Sequence, residues 1–179
     1  MADLLLTHSY LLQFDPKQQR IGQPFAPLGT LYAAAVLKQA GVDLSFYDPM
    51  FSESPDGIIP ELQKETPSIL VIYDDGFSYL TKMCLSNMRA AALRMIDLAK
   101  ELVPRIIVCS SDASDNYSLY LEKGAGFVIL GEGEITLKEL VGHLLKGTGN
   151  DFGDIPGIAW RKNGKRSIRN RKFCCAKNQ

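Results

Sequence analysis

The sequence predicts a doubly wound α/β domain: a five-stranded parallel sheet with flanking helices, followed by a C-terminal β-hairpin. Short apolar runs alternate with stretches of helical periodicity along the 179 residues. This order favours a parallel sheet covered by helices on both faces. The run at residues 69–73 is almost entirely apolar, which is typical of a central strand buried on both sides.

The predicted strands are short apolar or alternating runs bounded by Gly, Pro or polar residues. They cover residues 4–9, 42–47, 69–73, 105–109 and 127–130. A later apolar segment at 155–165 contains Asn163-Gly164, a pair that favours a tight hairpin turn. Residues 13–26 are polar with Gly and Pro, and they predict a loop.

Helical periodicity fills the intervals between these strands. The predicted helices cover residues 27–40, 58–64, 78–102, 117–123 and 134–146. In the first of them Pro27 suits the first turn, and Gly41 suits the stop after the last turn. Several of its apolar residues share one helical face: Leu28, Leu31, Tyr32, Ala35 and Val36.

Composition and charge narrow the class of protein. The hydrophobic fraction is 46% and the charged fraction 22%, which is ordinary for a globular protein. No run of 18 apolar residues occurs, and Asp3 stands where a signal peptide carries a cation, so we expect a cytoplasmic protein without a membrane span.

The net charge is zero, but residues 161–179 hold eight Lys/Arg and no acid, leaving twelve basic and twenty acidic residues before them. The acidic body argues against nucleic-acid binding by the domain, and the basic end predicts a disordered tail.

Four segments follow predicted strands and therefore meet at the carboxyl edge of the sheet, where ligands bind in this architecture. They are residues 9–30, 74–77, 110–114 and 131–134. Small and polar residues dominate them, which favours a large polar ligand held by backbone contacts. The last segment, Gly-Glu-Gly-Glu, comes between a strand and a helix, so its glycines permit close approach to a ligand beside a helix N-terminus.

Other chemistries have weaker support. Asp74-Asp75 is open to three interpretations: a turn before a helix, an acid–base or metal pair, or a phosphoacceptor as in receiver domains. His8 ends the first strand, where it either contacts a ligand or is simply hydrogen-bonded. The sequence has no catalytic-triad, zincin, P-loop or dinucleotide-binding motif, and its four cysteines lack metal-ligand spacing.

Three segments together resemble the cobalamin-binding domain found at the N-terminus of cobalamin-dependent radical SAM proteins. Residues 27–48 resemble the opening "PPLGLxYLAAxLxxAG" segment of that domain and the strand after it. Residues 120–140, with Gly131-Glu132-Gly133-Glu134 at their centre, resemble its last βα unit "GEGExTxxEL". Residues 155–165 resemble the hairpin that leads into the radical SAM barrel.

The resemblance implies a Rossmann-like or flavodoxin-like fold that holds cobalamin at the carboxyl edge of its sheet, without catalytic residues of its own. It divides the chain into a cobalamin-binding-like domain at 1–150, a linker hairpin at 151–165 and the basic tail at 166–179. The expected cofactor-binding residues are Leu28, Gly29, Thr30, Asp75, Gly76, Phe77, Ser110, Ser111, Asp112, Gly131, Glu132, Gly133 and Glu134.

Two departures from the family leave alternatives open. No D-x-H-x-x-G motif supplies a cobalt-ligating histidine, and no C-x-x-x-C-x-x-C motif supplies a cluster site. We therefore expect an iron–sulfur cluster and S-adenosylmethionine only in a radical SAM domain in cis or in trans, with this chain a fragment or a stand-alone relative. The alternatives are a degenerate domain that makes protein contacts without a cofactor, and a receiver-like module.

Overall fold

Seven strands form one continuous sheet in the computed structural model, which describes residues 2–22, 24–74, 84–147, 149, 151–162 and 165–169. Within these residues the strand order is β2-β1-β3-β4-β5-β6-β7. The first five strands are parallel, and β6 and β7 are antiparallel. The strands are β1 Leu4–Thr7, β2 Leu44–Phe46, β3 Ile69–Tyr73, β4 Arg105–Cys109, β5 Phe127–Ile129, β6 Ile158–Lys162 and β7 Lys165–Arg169.

Helices connect the five parallel strands in succession, as the sequence predicts, and one further helix leads from the last of them to the antiparallel β6. They are α1 Pro16–Ile21, α2 Leu28–Gln39, α3 Ile58–Glu65, α4 Leu85–Ala99, α5 Ser111–Asp115, α6 Tyr117–Lys123 and α7 Glu134–Lys146, with 3₁₀ turns at Leu12–Phe14 and Pro55–Gly57. The 2-1-3-4-5 order of the parallel strands is the flavodoxin-like one, with its switch point between β1 and β3. The predicted fold class is therefore confirmed.

The central strand shows why the sheet is covered on both sides. All five residues of β3 are buried. Ile69, Val71 and Tyr73 join the apolar cluster beneath α2 and α7. Leu70 and Ile72 join the cluster beneath α3, α4 and α6. Alternate side chains of one strand thus enter two cores. No helix in the described part of the chain is long and apolar enough to span a membrane.

The strand count differs from the predicted five because the hairpin joins the main sheet. Residues Ile158, Ala159 and Trp160 pair with β5 and are buried. Ile158 and Trp160 enter one core and Ala159 the other, so β6 has the burial of an interior strand. Residues 166–169, assigned above to the tail, belong to β7. The turn at 163–164 and residues 170–179 lie outside the described residues, and the division at residue 150 stays a prediction.

The apolar face that the periodicity marks on α2 is not the face that the structure buries. Its buried residues are Thr30, Ala33, Ala34 and Leu37, whereas Leu28 is 69% and Tyr32 63% exposed. The small residues allow the helix to lie close to the sheet and to α7, and this close approach turns the larger apolar residues outward. Leu28, Leu31, Tyr32 and Ala35 are exposed and lie next to one another on α2; we call them the exposed apolar stripe of α2.

Two short helices lie where no helix was predicted. In the predicted loop 13–26, Asp15 caps α1 by accepting a hydrogen bond from the Gln18 amide at 3.1 Å, and Pro16 occupies the first turn. After β4, Ser110 caps α5 by accepting a hydrogen bond from the Ala113 amide at 2.9 Å. Both are ordinary N-cap arrangements, and they shape the edge of the sheet where the candidate site lies.

Candidate functional site

A groove of about 290 Å³ opens at the carboxyl ends of β3, β4 and β5. Small and acidic residues line most of it. They are Gly29, Tyr73, Asp74, Cys109, Ser110, Ser111, Ser114, Asp115, Gly131, Glu132, Gly133 and Glu134. The groove therefore lies where ligands bind in open α/β sheets, and we call it the edge groove.

The floor of the edge groove is formed by Tyr73 and Cys109, which are register partners at the ends of β3 and β4. Gly133 lies directly on them. A Cβ atom at Gly133 would collide with the Cys109 Sγ and would stand 3.1 Å from the Tyr73 ring. Packing therefore favours glycine at this position, because a larger residue would displace Cys109 or the turn itself; the backbone conformation does not, since its φ is an ordinary −104°.

Tyr73 also connects three elements of the site. Its hydroxyl donates to Glu134 Oε1 at 2.8 Å, and its carbonyl accepts from the Thr30 hydroxyl at 2.7 Å. Burial raises the pKa of Tyr73 far above its usual value, and nearby Cys109 and Glu134 raise it further. Tyr73 is thus a permanent hydrogen-bond donor that fixes the Glu134 carboxylate, while Thr30 ties the start of α2 to β3.

The outer wall of the groove is the turn at residues 131–134. Gly131 adopts a left-handed φ of +78°, which favours glycine. Its amide donates to the Ser114 hydroxyl oxygen at 3.0 Å, and Ser114 donates to the Ser110 carbonyl at 2.9 Å. No atom lies within 4 Å of the position of a Gly131 Cβ. The wall is therefore anchored to α5 on one side and open on the other.

Asp74 lies at the switch point between β1 and β3, where it borders the groove. Its two carboxylate oxygens accept from the Ser9 amide at 2.7 Å and the Ser9 hydroxyl at 3.0 Å. The side chain is buried, and this burial raises its pKa despite the bonds with Ser9. A buried carboxylate with both oxygens engaged is a poor phosphoacceptor, which disfavours the receiver interpretation. Its predicted pair partner, Asp75, lies outside the described residues.

His8 is a buried structural histidine. Its Nε2 lies 3.0 Å from Asp48 Oδ1, and its Nδ1 accepts a hydrogen bond from the Tyr10 amide at 3.2 Å. Because the Tyr10 N–H can only donate, Nδ1 is the acceptor and the proton is assigned to Nε2, toward Asp48. Both ring nitrogens are thus engaged within the protein, as the hydrogen-bonded interpretation of His8 expects.

Asp112 lies near the groove but does not line it. Its carboxylate bonds with Arg89, with the Tyr120 hydroxyl at 2.6 Å and with the Asn116 amide at 3.2 Å. Burial alone would raise its pKa, but the bonds with Arg89 and Tyr120 outweigh burial and hold the pKa below its usual range. This is a structural ion pair between α4 and α5, so nothing in the geometry assigns Asp112 to ligand binding.

The other predicted site residues divide into three groups. Gly29, Ser110, Ser111 and residues 131–134 line the edge groove. Leu28 and Thr30 flank it on α2, one exposed and one buried. Residues 75–77 lie outside the described residues. Five residues that line the groove were not among the expected cofactor-binding residues: Tyr73, Asp74, Cys109, Ser114 and Asp115. Tyr73 and Cys109 could have been found as the last residues of the two central strands.

Replacing Asp74 with Asn tests the electrostatics of the switch point. Because the pKa of Asp74 is raised in the folded state, the folded protein favours the protonated carboxyl. The contribution of Asp74 to stability is therefore full below the ordinary aspartate pKa and is lost as the pH rises through the raised folded-state pKa. We expect Asp74→Asn to gain stability relative to the wild type across that window. Urea unfolding at a series of pH values from about pH 4 to pH 8 measures this. A stability difference that does not change with pH, or that falls as the pH rises, would contradict it.

The fold and the edge groove define a flavodoxin-like ligand-binding domain. A family model described as the B12 binding domain matches residues 19–141, well over half of the chain. The chain belongs to the B12-binding domain family. This confirms the resemblance to cobalamin-binding domains on which the predicted site rests.

Two solved structures show the same fold. One is the radical S-adenosylmethionine methyltransferase TsrM from Kitasatospora setae with cobalamin and a 4Fe–4S cluster bound, with 17% identity and a TM-score of 0.66 over 95% of this chain and 29% of that chain. The other is the cobalamin-dependent S-adenosylmethionine radical enzyme OxsB with aqua-cobalamin and S-adenosylmethionine bound, with 18% identity and a TM-score of 0.64 over 96% of this chain and 22% of that chain. The chain thus spans less than a third of the length of either neighbour. None of the curated proteins compared with it matches.

Proposed function

We propose that this chain is the cobalamin-binding module of a cobalamin-dependent radical SAM enzyme, and that the edge groove holds the nucleotide tail of the corrinoid. The observation that carries the proposal is the close packing of Gly133 on Tyr73 and Cys109. This contact holds the turn at 131–134 against the ends of β3 and β4, beside a groove at the carboxyl edge of the sheet, in a chain of the B12-binding domain family.

The residues present fit such a tail. The groove, at about 290 Å³, is at the lower end of the ~300–1,000 Å³ of typical ligand pockets, so it suits a nucleotide and not the whole corrinoid. Its glycines and serines leave room for close backbone contact. Gly29, Ser110, Ser111 and residues 131–134 would hold the tail, with Leu28 at the rim. Residues 75–77 are included on the resemblance alone.

The cofactor, when bound, supplies organometallic and radical chemistry that no protein side chain provides. The chain's own residues bind and orient it. Of the two histidines in the chain, His8 has both ring nitrogens engaged. His143 lies nine residues into α7, roughly 14 Å along the helix from Glu134, against Phe152. We therefore propose that cobalt is bound without a histidine ligand from this chain.

A radical SAM domain, in cis or in trans, is the proposed partner. The region that matches this chain makes up only 29% of the TsrM chain and 22% of the OxsB chain. The iron–sulfur cluster and S-adenosylmethionine would belong to that domain, which we place with this one in the cytoplasm. The exposed apolar stripe of α2 supports a partner, because a helix that is apolar on two sides is typically buried on both.

Gel filtration with hydroxocobalamin tests cofactor binding. We expect the visible absorbance of the corrinoid to elute with the protein at about one equivalent per chain, because the groove exists in the folded domain. Circular dichroism of the same fractions controls for folding. A folded protein that elutes without colour would overturn the proposal and favour the degenerate, cofactor-free alternative.

A further inference from the structure

All the Asp, Glu, Lys and Arg residues that line the described part of the edge groove are acidic: Asp74, Asp115, Glu132 and Glu134. No Lys, Arg or His of the described residues joins them. Burial raises the pKa of Asp74 and favours its protonated form. Phosphate groups in protein sites are typically held by Arg, Lys or helix N-termini. Three helices begin beside the groove: α2, α5 and α7. The first turns of α5 and α7 carry Asp112 and Glu134, acids that complement the helix dipole, and Ser110 caps α5. The groove therefore disfavours a phosphate.

The same residues favour a ligand with hydrogen-bond donors. An ionised carboxylate only accepts hydrogen bonds, and its two oxygens have about four acceptor sites. Tyr73 donates to Oε1 of Glu134 at 2.8 Å, which leaves further acceptor capacity. Tyr73 is itself held by Thr30 and lies under Gly133. Glu134 is thus an acceptor whose position is set from below by a buried and permanently protonated phenol.

Glu132 offers a comparison within the same turn. It also lines the groove, but it is exposed to solvent. When a ligand binds an exposed carboxylate, a hydrogen bond to water is replaced by one to the ligand, and the net free energy gained is small. A fixed acceptor in a part-buried site discriminates strongly between ligands that have a hydrogen-bond donor and ligands that lack one. The two glutamates of one motif therefore differ in what they contribute.

We propose that Glu134, positioned by Tyr73, accepts a hydrogen bond from a ribose hydroxyl of the corrinoid's nucleotide tail, and that the tail phosphate lies outside the edge groove. This inference rests on the proposed function. It makes Glu134 a specificity-determining residue that distinguishes corrinoids with the nucleotide from those without it, and it makes Tyr73 a positioning residue.

Equilibrium titration of the full chain with hydroxocobalamin and with diaquacobinamide, which lacks the nucleotide, tests the proposal. We expect the wild type to prefer cobalamin. Glu134→Ala should lose about tenfold in cobalamin affinity, the size of a charge-assisted hydrogen bond, with cobinamide affinity unchanged. Tyr73→Phe should lose part of the same preference. Glu132→Ala should lose less cobalamin affinity than Glu134→Ala. The matched variant Glu139→Ala, which lies exposed on α7 and outside the edge groove, should change either affinity less than about twofold. Raising NaCl should also change either affinity less than about twofold, because no cation–phosphate contact is screened.

The outcomes separate this inference from the proposed function. Equal losses for both corrinoids in Glu134→Ala, an equal loss in Glu132→Ala, or an affinity that falls steeply with salt would overturn the role of Glu134 while cobalamin binding stands. Failure of the wild type to bind either corrinoid would overturn both. Thermal unfolding of each variant confirms that the comparison is made on folded protein.

Discussion

Replacing Gly133 with Ala is expected to abolish corrinoid retention and to lower the free energy of unfolding by ~1–3 kcal/mol, the usual cost of overpacking. The added methyl group would collide with the Cys109 Sγ and crowd the Tyr73 ring. Since both belong to the buried ends of central strands, the turn at 131–134 must move away from the floor, and the groove changes shape. Urea unfolding and gel filtration with hydroxocobalamin measure the two effects.

Gly142 provides a matched control on the same helix. A Cβ there would meet no atom within 4 Å, and alanine in a helix interior is favoured over glycine by up to about 1 kcal/mol. Gly142→Ala should therefore leave corrinoid retention unchanged and stabilise the domain. If Gly133→Ala retained the corrinoid as well as Gly142→Ala does, the packing argument for the groove would be wrong.

Replacing Asp112 with Asn is expected to lower the free energy of unfolding by about 2–3 kcal/mol, because it leaves Arg89 without its buried counter-charge. The Asp112 side chain is 4% exposed and that of Arg89 is 36% exposed, so water offsets part of the loss. The lowered pKa of Asp112 gives a second signature. The wild type should lose this stabilisation as the pH falls through the folded-state pKa, and the variant should not.

The exposed pair of Asp56 and Arg94 is the control for Asp112. It has similar two-pronged geometry, with distances of 2.9 and 2.7 Å, but side-chain exposures of 45% and 48%. Exposed pairs contribute little, so Asp56→Asn should scarcely change the urea midpoint. Equal losses in the two variants would mean that burial does not determine the strength of the Asp112 pair.

Most of the fold could be predicted because local pattern and tertiary environment agree. The β3 strand, the β4 strand and α7 have the predicted bounds, since each has an uninterrupted pattern and clear stop signals. The place of β6 in the sheet could not be predicted, because a short apolar run has the same sequence pattern in an isolated hairpin as in an interior strand.

The buried face of α2 shows a limit of periodicity. The pattern marks where large apolar residues recur, but the distance between helix and sheet selects which face is buried. Here Ala33 and Ala34 permit a close approach, and Leu28 and Tyr32 turn outward. The large apolar residues thus follow the helical periodicity but face outward, where we propose that a partner covers them.

For the candidate site, the sequence predicted the residues of the outer wall but not the two residues of the floor. The turn at 131–134 has a recognisable composition, whereas Tyr73 and Cys109 look like ordinary core residues until the register of β3 and β4 places them together. Asp112 was predicted as a ligand-binding residue because the resemblance carries the whole segment after β4 to the cofactor, but only Ser110, Ser111, Ser114 and Asp115 of that region line the groove. The N-cap at Ser110 starts a helix, and Asp112 bonds with Arg89 instead.

Co-crystallisation of the chain with hydroxocobalamin tests the central claim most directly. The account predicts one corrinoid per chain at the carboxyl edge of the sheet, with the nucleotide tail in the edge groove against residues 131–134 and above Tyr73 and Cys109. A corrinoid bound elsewhere on the domain, or a tail that leaves this groove empty, would contradict it.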